Sequence, residues 1–307
     1  MMLLSERITY ISFLFCFYGM SQSLTFETSP AGVLISEGEK KVLFFQKETK
    51  ALDGKYPRAN YIHPLYDMDG AILTEDFPED HLHHRGIFWA WHQLLVNNVS
   101  IGDGWECKNI SWDVKNITTT ANNDGSLQLN TTVFWNSSIY KEKSGRASFV
   151  KEETAITIHP SEENYRVIDF EISLLALADN LKIGGSDDIK GYSGFSARLK
   201  LPEDILFSSS EKNITPINEA IKAERNVVIS GSFNNNKKSG LIIIASKENP
   251  SPNNEWILRS KNSMQNAAYP GQKPIYVSTE DPIVLKYRII IYKNDISTIN
   301  PTTIYQY

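Results

Sequence analysis

Cysteine is nearly absent from this chain. The 307 residues hold two, Cys16 and Cys107. Cys16 lies in an amino-terminal apolar run, and once that run is set aside Cys107 stands alone, which excludes an intramolecular disulfide. Long hydrophobic stretches are missing too. The apolar run at residues 8–18 has 11 residues, whereas a membrane-spanning helix needs about 20. Positive charge is not in excess: 31 Lys and Arg face 36 Asp and Glu, a formal net charge of −5. With no basic stripe, nucleic acid is not an expected partner. There is no Gly-x-Ser-x-Gly elbow, no glycine-rich phosphate loop and no dinucleotide fingerprint. Helical patterning is scarce, and "NEAIKAER" at 218–225 is the best short helix candidate.

What is present begins with an export pattern. "MMLLSER" carries Arg7, the apolar run follows, and the small residues Gly19 and Ser21 close it. That is the charged, apolar and cleavage-site order of a secretory signal. A leader over 1–21 is therefore expected, with residues 22–307 forming the exported part, periplasmic or extracellular. Its length suffices to bury a core without disulfide staples.

Alternation dominates the rest. In "SLQLNTTVFW", Leu127, Leu129, Thr131, Val133 and Trp135 share one face of a strand. "RVIDFEISLL" places Ile168, Phe170, Ile172 and Leu174 on one face and Val167, Asp169, Glu171 and Ser173 on the other. "PIVLKYRIIIY" repeats the pattern. A period of two with one polar face belongs to antiparallel sheets. "EGEK", "MDG", "NNDG", "NNNKKSG" and "YPGQKP" supply turns between the runs. Many strands without intervening helices predict an all-β fold, a large antiparallel β-sandwich in one domain.

Histidine is scarce but concentrated. "EDFPEDHLHHRGIFWAWH" at 75–92 holds four of the six, and His63 lies just upstream in "YIHPLYDMDG". Taken as the start of a strand, "HLHHRGIFWAW" puts His81, His83 and Arg85 on one face and His84 and His92 on the other. Three kinds of chemistry fit. A His-x-His pair, His81 and His83, with a nearby acid would hold a divalent metal. Without metal, His83 or His84 would serve as general acid or base, since imidazole titrates near neutrality. Arg85 beside them would hold negative charge, and tryptophans such as Trp89 would cover the apolar face of a sugar ring. The plainer possibility is a set of histidines that hydrogen-bond the backbone in a tight turn.

The long block "RANYIHPLYDMDGAILTEDFPEDHLHHRGIFWAWHQ" resembles the signature of the bacterial family labelled PmoA-like, or methane oxygenase PmoA. Two later blocks also resemble it: "DDIKGYSGFSARLKLP" at 187–202, and "MQNAAYPGQKP" followed by "LKYRIIIY". The oxygenase activity in that label is not expected here, because such a subunit sits in the membrane and this chain has no span. The resemblance implies a secreted bacterial protein of carbohydrate-degrading settings. The all-β pattern with an early histidine-rich strand is also similar to the galactose-mutarotase-like supersandwich, a fold that hosts epimerases, glycoside hydrolases and polysaccharide lyases.

With those blocks marked, strict alternation in "KGYSGFSARLK" puts Lys190, Tyr192 and Arg198 on one face, where glycines allow close approach by a ligand or a second backbone. Trp256, Arg259, Gln265 and Asn266 are candidate sugar contacts from "NEWILRSKNSMQNAAYPG". The expectation is then a carbohydrate-active protein that cleaves a glycosidic bond. His83 or His84 would be acid or base, Arg85 and Lys190 would hold charge, and Asp80 or Glu75 would orient a histidine or act as the paired carboxylate. His63, His81, Trp89, His92, Lys190, Tyr192, Arg198, Arg259, Gln265 and Asn266 would bind the sugar. No cofactor is required, although a divalent metal fits the His81–His83 pair. The rivals are a glycan-binding module without catalysis and a metal-dependent enzyme acting on a sugar derivative.

Overall fold

The computed structural model describes residues 23–142, 145, 147–210, 212–234, 237–251, 254–299, 303 and 307. The leader expected over 1–21 lies outside the described residues. The architecture is all-β. Two nine-stranded antiparallel sheets pack by their inner faces into a sandwich, with a four-stranded sheet and a two-stranded ribbon beside them. No helix among the described residues is long and apolar enough to cross a membrane.

The inner faces follow the period-two pattern. Along Leu127–Ser137, every second residue is buried, and Leu127, Leu129, Val133 and Trp135 enter the main core. Strand Tyr165–Ala176 turns Ile168, Phe170, Ile172 and Leu174 into that core, and Ile283–Lys293 adds Leu285, Tyr287, Ile289 and Ile291. Burying one such side chain is worth about 1.5–3 kcal/mol, so the alternation alone fixes which face turns inward. The outward residues Val167, Ile242, Ile290 and Tyr292 form a second, smaller cluster with Ile299 near the C-terminal end.

One polar group sits between the sheets. Glu152 is fully buried and accepts hydrogen bonds from Asn60 Nδ2 at 2.9 Å, Trp135 Nε1 at 2.8 Å and Thr154 Oγ1 at 2.7 Å. Burial pushes its carboxyl up, and these donors pull it back only in part. An isolated charge would be costly there, so the donors are what make the position tolerable.

The first nine-stranded sheet carries the motif blocks. Its consecutive strands include Tyr61–Leu65, Ile87–Trp91, Ser193–Ala197 and Gln265–Ala268. Trp89 pairs with Phe195, and Ser196 pairs in turn with Asn266. Segments scattered over some two hundred positions thus become neighbouring strands. Gly194 makes the seam possible: it has a φ of +77° and a Cβ there would lie 3.1 Å from the carbonyl oxygen of Ala267. The close approach expected at these glycines is made by a second backbone. After Trp91 the chain leaves the sheet and enters the four-stranded sheet at Gln93–Val96, so His92 sits at a junction.

The helix expected at 218–225 does not form. Ile221–Lys222 is a two-residue edge strand, with Ile221 opposite Trp256, and the Trp256 indole donates to the Glu224 carbonyl at 3.0 Å. Eight residues make a marginal helix in isolation, and sheet pairing satisfies the same backbone groups.

Candidate active site

The histidine segment is a closed loop, not the start of a strand. Pro78 and His81 carbonyls accept from the amides of His81 and His84, and an isolated bridge between Asp76 and Arg85 ties the loop ends. The strand begins only at Ile87. The expected division of His81, His83 and Arg85 from His84 therefore does not occur. Instead the turn gathers the rings. His81 and His84 stack with centroids 4.6 Å apart and planes 3° apart, and His83 stands edge-on to His84 at 4.6 Å.

Arg85 cannot hold substrate charge. It is fully buried, donating to Asp76 Oδ1 at 2.8 Å, the Tyr61 hydroxyl at 3.2 Å, and the carbonyls of Lys50 and Tyr56 at 2.8 and 2.6 Å. It clamps the base of the loop. Burial would raise the Asp76 carboxyl, but Arg85 and Lys50 outweigh it and hold it below the usual carboxylate range.

Arg198 organises the histidines from the neighbouring strand. It is buried, with Nε 2.7 Å from Glu75 Oε2, Nη2 2.6 Å from Asp80 Oδ1 and Nη1 2.9 Å from Asp80 Oδ2. Nη1 also reaches Nδ1 of His84 at 3.3 Å. A guanidinium only donates, so His84 Nδ1 must accept, and the ring carries its proton on Nε2. Burial first, then the neighbouring His83 and His81, drive His84 far below the ordinary imidazole range. His84 is thus a neutral donor and not a proton shuttle. His83, half-buried, is pushed down to about 4 by burial and by His81 and Arg58.

Glu75 and Asp80 both spend themselves on Arg198. Burial tends to raise the Asp80 carboxyl, yet Arg198 and His81 hold it low. The histidine that Asp80 bonds is His81, with Asp80 Oδ2 2.7 Å from His81 Nδ1. Both carboxylates are engaged by the Arg198 guanidinium.

His92, expected only as a contact, has the geometry of an acid–base group. Its Nδ1 is 2.9 Å from Asp103 Oδ2, and its ring stacks on Trp105 at 5.2 Å. Asp103 Oδ1 accepts from the amides of Trp105 and Glu106 at 2.8 and 2.9 Å, which fixes the carboxylate. Nε2 has no partner among the described residues. The Trp105 loop is held from beneath by Arg58. This buried guanidinium lies between the rings of Phe88 and Trp112, at 4.9 and 4.2 Å, and donates to the carbonyls of Gly104 and Trp105. Asp103, Trp105 and Arg58 were missed in the sequence. "IGDGWECKN" shows a turn, but only the turn's packing brings its aspartate to a histidine 11 positions earlier.

Tyr192 completes the group, its ring 5.4 Å from Trp105 and half-buried. The Arg259 guanidinium lies over the Tyr192 ring, 5.6 Å from its centre. Trp105, Phe88, Ala90, Tyr61 and Met264 form a small apolar cluster under these residues, on the sheet face away from the main core. A cleft of about 740 Å³ opens beside Arg198, lined by Glu75, Asp80, Arg198, Glu203 and Lys261 among others, and neither His92 nor Tyr192 lines it.

Other expected contacts are scaffolding. Trp89 is 2% exposed and points into the main core beside Phe195. Gln265 and Asn266 are fully buried; Gln265 bonds both the amide and the carbonyl of Arg259, and Asn266 donates to the carbonyls of Ser193 and Phe195. Trp256 is buried as well. Lys190 lies in a turn before the strand, 3.7 Å from Asp188, because the strand begins only at Ser193. His63 bonds Thr74 Oγ1 at 3.0 Å and is pushed down to about 4 by burial. Among the described residues no three His, Cys, Asp or Glu side chains are grouped to hold a metal ion. His81 and His83 meet edge to face at 5.8 Å, with Nδ1 of His81 already bound to Asp80.

The site therefore gathers one histidine–aspartate pair, two neutral imidazoles and a tyrosine from the segments flanking strands Ile87–Trp91 and Ser193–Ala197. The family described as "Family of unknown function (DUF6807)" matches residues 32–302. The chain belongs to this family. No curated protein matches it. Among solved structures it is similar to a chain titled "Heparinase III-BT4657 gene product, Methylated Lysines", at 10% identity and a TM-score of 0.31. That match covers 89% of this chain and 34% of the other, so the chain spans about a third of that protein's length.

Proposed function

We propose that this protein is a carbohydrate-active enzyme that cleaves a glycosidic bond by histidine acid–base chemistry. On the leader expected at 1–21, it works outside the cytoplasm. The observation that carries the reading is the His92–Asp103 pair stacked on Trp105. A carboxylate on Nδ1 fixes the imidazole's tautomer and orientation, leaving Nε2 as the working base. Tyr192, across Trp105, supplies a hydroxyl for the leaving oxygen. His83 and His84, neutral at physiological pH, donate hydrogen bonds without introducing charge. Such a face suits a polyhydroxylated ring, which presents both donors and acceptors.

The test is a product screen of the purified protein against a panel of polysaccharides and 3-keto-glycosides, read by mass spectrometry, with His92→Asn in parallel. Shortened products from the wild type and not from the variant are expected. Binding without any product, equal in both proteins, would instead identify a glycan-binding module.

A further inference from the structure

We infer that the cleft beside Arg198 is a saccharide subsite of its own, apart from His92, and that it selects sugars without acidic groups. The inference rests on the reading of the protein as carbohydrate-active and names the class of sugar. Two kinds of side chain line the cleft: aliphatic ones, Leu199, Leu201, Pro202 and Ile205, and polar ones, among them Glu75, Glu203 and Asn262. Its volume of about 740 Å³ falls among small-ligand sites, roughly 300–1,000 Å³. A pyranose divides the same way, with C–H bonds on its faces and hydroxyls at its rim.

The polar lining is made of acceptors. Arg198 is buried and its three nitrogens are taken, Nε by Glu75 and both Nη by Asp80. The second oxygen of Glu75 and the whole carboxylate of the exposed Glu203 have no partner among the described residues. Carboxylate oxygens accept strong hydrogen bonds from hydroxyls. A fixed cation for an acidic group is lacking among the described residues, since Lys261, the lining cation that no carboxylate holds, is exposed. Three carboxylates line the cleft against two cations. Among sequence neighbours of the lining residues, Glu79 and Asp204 offset Lys200 and Arg259, and Asp76 is paired with Arg85. The excess stays negative, so a uronate or sulfated sugar meets repulsion.

Other occupants fit less well. No three of the acids group to hold a metal ion among the described residues. A peptide would pair with backbone, but the backbone at 198–200 is already paired. The Arg198 and Lys200 amides donate to the carbonyls of Gly86 and Leu73, and the Arg198 carbonyl accepts from the Glu75 amide. That edge is closed to an extended chain.

The experiment titrates the full chain carrying His92→Asn, which stops the proposed turnover and leaves the cleft lining intact. The probes are neutral cello-, malto-, xylo- and manno-oligosaccharides and an oligogalacturonate. Amide NMR shifts locate binding, and calorimetry gives its affinity. At least one neutral oligosaccharide should shift Ser260, Lys261 and Asn262, and the oligogalacturonate should shift none of them. Glu203→Ala and Asn262→Ala, both at exposed positions, should each weaken that binding about 2–10-fold, the worth of one hydrogen bond. Glu203→Lys should admit the oligogalacturonate, and no gain there would overturn the charge selection. Oligogalacturonate bound as tightly as the neutral sugars, or affinity unchanged in both alanine variants, overturns the inference. Products from the wild type with the cleft signals unmoved by every sugar overturn it too, and leave glycosidic cleavage standing. Cleft binding with no product from the wild type supports the subsite and counts against cleavage. Neither binding nor product overturns both readings.

Discussion

The guanidinium of Arg198 lies 3.3 Å from Nδ1 of His84, a residue 114 positions earlier in the chain. That contact selects the tautomer of a buried ring and joins two sequence blocks into one site. It also explains why a histidine with an acidic neighbourhood is not itself the base. Asp80 and Glu75 compensate Arg198, and no carboxylate oxygen bonds His84 among the described residues.

Arg198→Met should release both restraints. Glu75 and Asp80 are partly exposed and can be re-solvated, so the loss of stability is expected to be roughly 1–3 kcal/mol. The His84 imidazole should move up only in part, because burial and the neighbouring His83 and His81 still hold it down once the Arg198 charge is gone. Denaturant unfolding and proton NMR titration of the ring read the two effects; an unchanged His84 titration would count against the role given to Arg198.

Arg85 behaves differently. Asp76 is almost wholly buried, and Arg85→Met leaves it only Lys50 and the Tyr61 hydroxyl as partners, so a loss of about 3 kcal/mol, the low end for a broken buried pair, is expected. Arg85→Lys should recover little of it, because one ammonium cannot serve Asp76, the Tyr61 hydroxyl and two carbonyls together. Asp76→Asn with Arg85 intact should lose less, since the guanidinium keeps its carbonyl acceptors. Equal melting temperatures for wild type and Arg85→Met would refute the clamp.

His63 and His83 make stability depend on pH. Both have folded values of about 4 against an ordinary value of 6.5. In the unfolded chain they take up protons first as the pH falls, so acid favours unfolding. Their contribution is fully present above 6.5, declines between 6.5 and 4, and levels off below 4. Unfolding measured at steps from pH 7.5 to 4 should show this slope, and the pair His63→Gln and His83→Gln should reduce it, leaving the part that His84 contributes. A slope confined to the carboxylate range would show that these rings are not held neutral.

His92→Asn and Asp103→Asn separate chemistry from structure. His92→Asn should retain a near-normal melting temperature and lose turnover about 10²–10⁴-fold on any substrate found. Asp103→Asn should lose activity and also loosen the loop, because the carboxylate caps the Trp105 and Glu106 amides; a stability cost of about 1 kcal/mol is expected. Full activity in His92→Asn would move the base elsewhere in the cluster, with His83→Ala the next variant to assay.

The sequence by itself determined the sandwich. Side chains alternate across a strand whatever it packs against, so Leu127, Leu129, Val133 and Trp135 had to share a face, and the turn residues marked where strands end. The three blocks it marked, 75–92, 187–202 and the segment before Tyr269, lie on or beside adjacent strands. What each polar residue does there was decided by tertiary structure. A strand reading of "HLHHR" failed because Pro78 and the Asp76–Arg85 bridge close a loop before Ile87. Arg85 and Arg198 look alike in a sequence, yet one is a buried clamp and the other reaches a ring across the sheet. His92 acquired Asp103, and Trp89 turned into the core, through packing that no local pattern encodes. Charge and tautomer follow burial and partners, and here those partners come from segments up to 123 residues apart.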